Sequence, residues 1–197
     1  GMFAFAIWDC RDRSLFLARD RLGIKPLYYA ADSGRFVFAS EVRPVVFALG
    51  SAPPLDPAAV WSFLAIQYAP APRTMFEGIS ELEPGHYLRV DSSGPRKKRY
   101  WSLPEGAQPI ARRRAEEAIR SMLDDSVKKR LIADVPLGAF LSGGIDSTAI
   151  VSSMRRERSG GIKTFSVDFH AEAGADYVNE TKWSALAAKT YGTDHYA

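Results

Sequence analysis

The sequence has 197 residues, 46% hydrophobic and 25% charged, a balance that excludes long disorder and leaves room for one large or two small domains. A net charge of +3 with mostly interleaved signs argues weakly for an anionic ligand and gives no case for nucleic acid. A single cysteine excludes an internal disulfide and a cysteine-based zinc site, and without a signal-like or membrane-length apolar run we expect a cytoplasmic protein with no membrane partner.

The first third reads as strands: Met2 to Trp8, Ser14 to Ala18, Pro26 to Ala30 and Arg35 to Ala39. The turn-like stretches Asp9-Cys10-Arg11-Asp12-Arg13 and Asp32-Ser33-Gly34 predict antiparallel hairpins around them. Cys10, at a strand end with no histidine near it in sequence, is expected to be a rim thiol rather than a nucleophile. The charged tract Arg19-Asp20-Arg21 and the following Leu22-Gly23-Ile24-Lys25-Pro26 read equally as a salt-linked surface bend or as an interdomain contact.

Two helices follow. One runs from Glu41 to Leu49 and is closed by Gly50; the other runs from Asp56 to Ile66, with Asp56 as N-cap and Pro57 at the first position, where its missing N–H costs nothing. Glu83 to Val90 predicts a turn entering a strand, and Lys98 to Leu103 its return strand. The basic cluster Arg96-Lys97-Lys98-Arg99 reads as a solvated hairpin edge, and His86 as a half-exposed strand residue rather than a catalytic base. Pro104 to Pro109 is the linker candidate, bounded by prolines and without periodicity.

Beyond it, Ala115, Ala118, Ile119, Met122, Leu123, Val127 and Leu131 recur at helical spacing and predict one packed apolar stripe on a helix from Ile110 to Asp134. Strand Leu137 to Leu141, helix Ser147 to Arg156, strand Lys163 to Asp168 and helix Asn179 to Tyr191 then alternate, which predicts a parallel sheet that binds ligands beyond its carboxyl edge. The first strand carries no charge and is expected to be buried. Between it and its helix lies Ser142-Gly143-Gly144-Ile145-Asp146-Ser147. Both glycines are expected to take positive φ, and Ser147 and Thr148 to cap the helix. A helix N-terminus after such a turn is an anion site, although a Gly-Gly turn also occurs as a plain strand-to-helix connection. Asp146 reads either as an N-cap or as a carboxylate that joins phosphate through a divalent cation. The Walker loop and the dinucleotide fingerprint G-x-G-x-x-G are both absent.

The loop resembles the pyrophosphate loop of ATP pyrophosphatases. With Gly1 to Asp9, Leu17 to Tyr29, Ala39-Ser40-Glu41, Asp134 to Gly138, Lys163 to Val167 and Gly192 to His195, the resemblance is to the glutamine-hydrolysing asparagine synthetases. It covers the whole chain in family order. It implies an α+β segment over residues 1–104, the C-terminal part of an Ntn-hydrolase-type class II glutaminase domain. Over residues 105–197 it implies an α/β segment, the N-terminal part of an adenine-nucleotide alpha-hydrolase-like synthetase domain.

Carried over by that resemblance, Ser142, Gly143, Gly144, Asp146 and Ser147 hold the phosphates of ATP, Asp146 engages Mg2+, and Leu141 and Val167 contact the AMP moiety. Asp168 is a further candidate to touch the nucleotide, or caps a turn. The implied reaction adenylates the aspartate β-carboxylate to β-aspartyl-AMP, and ammonia from glutamine then displaces AMP. The partners are therefore ATP, aspartate and glutamine, and the family allows a homodimer of the full-length protein. The family's nucleophilic cysteine and glutamine-binding residues precede the segment matching Gly1, and its later aspartate and acidic motifs follow Ala197. The chain is thus expected to be an internal fragment with no catalytic residue of its own, inactive alone. A ligase of the same architecture acting on another carboxylate, and a non-catalytic nucleotide-binding fragment, stay open.

Overall fold

A computed structural model describes residues 1–32, 34–106, 109–158, 160–167 and 181–197. The chain divides into two compact units, Gly1–Gly106 and Ala107–Ala197, and its fold is mixed α/β with several sheets.

In the first unit the elements are β1 (Ala4–Asp9), β2 (Ser14–Arg19), β3 (Tyr28–Asp32), β4 (Arg35–Ala39), α1 (Val42–Leu49), α2 (Pro57–Ile66), β5 (Ile79–Glu81), β6 (His86–Asp91) and β7 (Gly94–Arg99). Both predicted hairpins form. β1 pairs with β2 and β3 with β4, antiparallel, the first turn helped by Asp9 Oδ1 accepting from Arg11 N at 2.9 Å. The sheets run β1-β2-β6-β7 and β4-β3-β5. Leu17, Leu27, Leu82 and Leu88 fill one apolar core with Tyr29 and Phe36 against them, while Val45 of α1 meets Ala30 and Ile79 in another. Asp56 caps α2 by accepting from Ala58 N and Ala59 N, and Gly50 closes α1 at φ +84°.

The return strand differs from its expected position: it spans Gly94–Arg99, not Lys98 to Leu103. Gly94 sits at φ +96°, so the chain reverses over Ser92 and Ser93 and pairs at once, Asp91 with Gly94. The basic cluster lies exposed on this edge strand, where its charges discourage pairing with another chain.

Arg19 and Asp20 differ from the surface bend expected of this tract, while Arg21, Leu22, Ile24 and Lys25 are exposed. Arg19 and Asp20 are buried inside the first unit, at 5% and 1% exposure. Arg19 donates to the carbonyls of Lys25 (2.8 Å), Leu82 (2.6 Å) and Gly23 (2.9 Å) and pairs with Glu81 at 2.7 Å. Asp20 accepts from the backbone N–H groups of Lys25 (2.9 Å), Leu22 and Ile24 (3.1 Å each) and Phe3 (3.4 Å). Burial alone would raise the Asp20 pKa. The four N–H donors outweigh it and hold the carboxyl below its ordinary value.

The second unit contains α3 (Arg112–Arg130), β8 (Gly138–Phe140), α4 (Ile145–Glu157), β9 (Lys163–Phe165), α5 (Thr181–Tyr191) and β10 (Asp194–Tyr196). The sheet is parallel, in the order β10-β9-β8. α3 is shorter at both ends than its predicted span, because Ala111 offers no side-chain cap and the helix closes at Leu131. Its stripe is only partly packed. Leu123, Val127 and Leu131 meet Met154 and Ile162, whereas Ile119 and Met122 are 66% and 62% exposed. Toward the N-terminal end of α4 the two helices are separated by a groove lined by Ile119, Arg120, Thr148 and Ser152. Asp124 fastens the packed half, accepting from Ser153 Oγ at 2.5 Å and Arg156 Nη2 at 2.6 Å. The Arg156 bond, followed by the Ser153 bond, holds the Asp124 carboxyl below the usual range.

The expected burial of β8 is also corrected. Among the described residues it is an edge strand, and Phe140 is 79% exposed. Alternation turns Ala139 toward the helices and Gly138 and Phe140 toward the other face, which no described element covers. An uncharged run fits a strand buried on one face as well as one buried on both. Among the described residues no helix is long and apolar enough to cross a membrane.

Candidate functional site

The loop from β8 to α4 leaves the carboxyl edge of the parallel sheet. Leu141 N donates to Phe165 O at 2.8 Å, and Phe140 is paired in register with Phe165, so residues 141–144 and 166–167 emerge side by side. The Leu141 side chain is fully buried with Val151, Ala187 and Ala188, so only its backbone faces the loop. Val167 is 69% exposed just beyond β9. Asp168 lies outside the described residues.

Only one of the two glycines needs positive φ. Gly143 sits at +83°, and a Cβ there would stand 2.5 Å from Ser184 N and 2.6 Å from Trp183 Cβ and would also overlap the Trp183 carbonyl carbon. The loop backbone therefore rests directly on the first turn of α5. Gly144 has φ −68° and ψ 165°, ordinary extended backbone, because it is the N-cap of α4. The expected caps differ too: α4 begins at Ile145 with no side-chain cap, since Gly144 occupies the cap position. Ser147 instead donates to Gly144 O at 3.2 Å, and Thr148 Oγ1 is buried without a partner among the described residues.

Two hydroxyls frame the loop. Ser142 Oγ lies 3.0 Å from Ser147 Oγ and accepts from Gly144 N at 3.2 Å. Thr148 N returns to Gly144 O at 3.1 Å, which leaves the N–H groups of Ile145, Asp146 and Ser147 without an intrahelical acceptor. These donors and the helix dipole favour an anion, with small hydroxyls on both sides to complete its hydrogen bonds. Asp146 is exposed in the first turn of α4 and is not the N-cap. No group of three or more His, Cys, Asp or Glu among the described residues could hold a metal alone. One carboxylate beside an anion site fits the mode in which Mg2+ takes its remaining ligands from phosphate and water.

The structure therefore brings Ser142, Gly143, Gly144, Asp146 and Ser147 into one loop, with Leu141 contributing backbone and Val167 at the neighbouring strand end. Sequence reasoning missed the support under Gly143. Trp183 and Ser184 lie some forty residues on in an unremarkable helix, and no local pattern links them to the loop. In the first unit Cys10 is exposed in the β1–β2 connection, and His86 Nδ1 lies 2.9 Å from Pro84 O.

Residues 1–101 match the model of the glutamine amidotransferase domain. The chain belongs to the glutamine amidotransferase family. Residues 118–197 match the asparagine synthase family, so the resemblance drawn from the motifs holds along both parts of the chain. Asparagine synthetase (glutamine-hydrolysing) 3 of Bacillus subtilis is 31% identical across 100% of this chain and 34% of its own length. A Mycobacterium bovis protein provisionally named asparagine synthetase (glutamine-hydrolysing) is 38% identical across 100% of this chain and 31% of its own. The amidase chyE of Penicillium rubens is 34% identical across 96% of this chain and 30% of its own. The chain spans about a third of the length of these relatives.

Proposed function

We propose that this chain carries parts of both domains of a glutamine-hydrolysing asparagine synthetase. On this reading residues 1–104 are the C-terminal part of an Ntn-hydrolase-type glutaminase domain. Residues 105–197 are then the N-terminal part of an ATP-pyrophosphatase synthetase domain of the adenine-nucleotide alpha-hydrolase type. The observation that carries the reading is the Ser142–Ser147 loop, a hydroxyl-framed helix N-terminus whose glycine backbone is pressed against α5.

The chemistry follows from the loop. A carboxylate is a poor electrophile, and ATP, when bound, supplies the adenylyl group that activates it. The backbone N–H groups of residues 145–147 and the Ser142 and Ser147 hydroxyls hold the phosphates and stabilise negative charge on departing pyrophosphate. Asp146 would hold Mg2+, which would supply positive charge to offset the negative charge of the phosphates. Leu141 through its backbone and Val167 through its exposed side chain flank the AMP moiety. Aspartate and glutamine are the other small-molecule substrates, the protein is cytoplasmic, and the full-length enzyme can form a homodimer. No nucleic acid and no membrane takes part.

Asp146→Ala is expected to weaken Mg-ATP binding about tenfold, the loss of one charge-assisted ligand. Titration calorimetry measures this, and an unchanged affinity would remove Asp146 from the site. The chain itself is expected to make no asparagine from glutamine, aspartate and Mg-ATP, because its only cysteine is exposed in the turn between β1 and β2. Amino-acid analysis with amide-labelled glutamine checks this, and labelled asparagine would overturn it. The similarity to a fungal amidase supports a second reading, in which the carboxylate amidated belongs to a different acceptor while the phosphate loop works in the same way.

A further inference from the structure

We propose that His195 is a positioning residue for the phosphate loop. It does so within a one-way chain of hydroxyl hydrogen bonds that ties the carboxyl end of β9 to the first turn of α5. His195 is in β10, paired in parallel register with Thr164 at the centre of β9. Its Nδ1 lies 2.9 Å from Thr164 Oγ1 and its Nε2 lies 3.0 Å from Ser166 Oγ. At one end Thr164 Oγ1 lies 2.8 Å from Thr193 Oγ1, and at the other Ser166 Oγ lies 3.1 Å from Ser184 Oγ. Thr164 and Ser184 are fully buried.

The direction of every bond follows from one fixed end. Ser184 donates to the carbonyl of Thr181 at 3.0 Å, and a carbonyl can only accept. The single Ser184 proton is thereby spent, so Ser184 Oγ accepts from Ser166. Ser166 in turn accepts from His195, which places the imidazole proton on Nε2. Nδ1 is then the acceptor, Thr164 donates to it, and Thr193 donates to Thr164. Between Thr193, which starts the series, and the Thr181 carbonyl, which ends it, each of Thr164, His195, Ser166 and Ser184 gives one proton and receives one.

The chain reaches the loop because Ser184 is one of the two residues on which Gly143 rests. Ser166 lies on the strand end beside Leu141, whose N–H is bonded to Phe165. Removing the imidazole separates these two supports and lets α5 shift under Gly143. The ligand consequence rests on the reading of this loop as an ATP site, whereas the hydrogen-bond chain does not.

Long-range nitrogen–proton correlation of the His195 ring, recorded on the whole chain above neutral pH, tests the chain. A pyrrole-type Nε2 and a pyridine-type Nδ1 are expected, and the opposite tautomer or an averaged pair overturns it. His195→Ala and Ser166→Ala are each expected to move the Gly143 amide resonance and to weaken Mg-ATP binding about tenfold, the effect of one lost hydrogen bond. His195→Gln, which keeps one donor and one acceptor, should regain part of that loss. A Gly143 resonance that stays in place in a folded variant overturns the positioning role. Should His195→Ala fail to fold, Ser166→Ala, which loses a single hydroxyl, decides. A wild-type chain that binds no Mg-ATP defeats the phosphate reading, while the tautomer and the Gly143 resonance still judge His195.

Discussion

Gly143→Ala is expected to abolish measurable Mg-ATP binding and to destabilise the second unit by roughly 2–5 kcal/mol, the sum of left-handed backbone strain and forced overpacking. Two independent observations point the same way. The residue sits at φ +83°, and the added methyl would meet backbone atoms of Trp183 and Ser184, not the flexible end of a side chain. The atoms in the way are part of α5 itself, so relief requires a helix to move or the loop to lift away from it. Gly144→Ala is the control. Its backbone is extended and its nearest obstacle is Ser142 Oγ at 3.3 Å, which can rotate. Its cost should not exceed about 1 kcal/mol, the difference between glycine and alanine at an N-cap. Denaturant unfolding with calorimetry separates the two variants, and equal effects would mean that Gly143 is not specially supported.

Asp20→Ala is expected to destabilise the first unit by roughly 3–5 kcal/mol, the cost of leaving several backbone N–H donors without their acceptor at about 1–3 kcal/mol for each that stays buried. Four backbone N–H groups lose their acceptor at once, and the segment from Leu22 to Lys25 loses the group it is folded around. Arg19 stays buried beside it, with its carbonyl partners drawn from the same segment and from Leu82. The pH dependence has a definite sign. The folded Asp20 carboxyl titrates below its ordinary value of 3.8. Its contribution is therefore complete above that value and is lost as pH falls through the depressed folded value. The urea midpoint of the wild type should drop across that acid window more steeply than that of Asp20→Asn, which has no proton to gain there. Parallel slopes would contradict the assignment.

The hairpins, both helix caps of the first unit and the parallel β8–β9 sheet were legible because each depends on a local signal. A turn residue such as Gly34, a cap such as Asp56 or a strand-helix alternation is written within a few residues. The turn from β8 into α4 was legible for the same reason. What could not be read is what depends on distant packing. Arg19 and Asp20 look like surface charges until Leu82 and Phe3 supply their backbone partners. The apolar stripe of α3 gives no sign that, among the described residues, its Leu123–Leu131 half is the part that packs, and the uncharged β8 gives none that Phe140 is exposed. Within the site, the need for glycine at 143 comes from α5, and the His195 chain joins three elements, β9, β10 and α5, that no spacing rule connects. Family resemblance located the loop. The three-dimensional contacts explain why its first glycine is fixed and its second is not.

The most direct test follows the backbone amides of Gly143, Gly144, Ile145, Asp146 and Ser147 by nuclear magnetic resonance while the chain is titrated with magnesium pyrophosphate. Saturable shifts concentrated on these five amides, and competed by Mg-ATP, are the predicted result. Absence of shifts there, or saturable shifts confined to other parts of the chain, would contradict the assignment of this loop as the phosphate site.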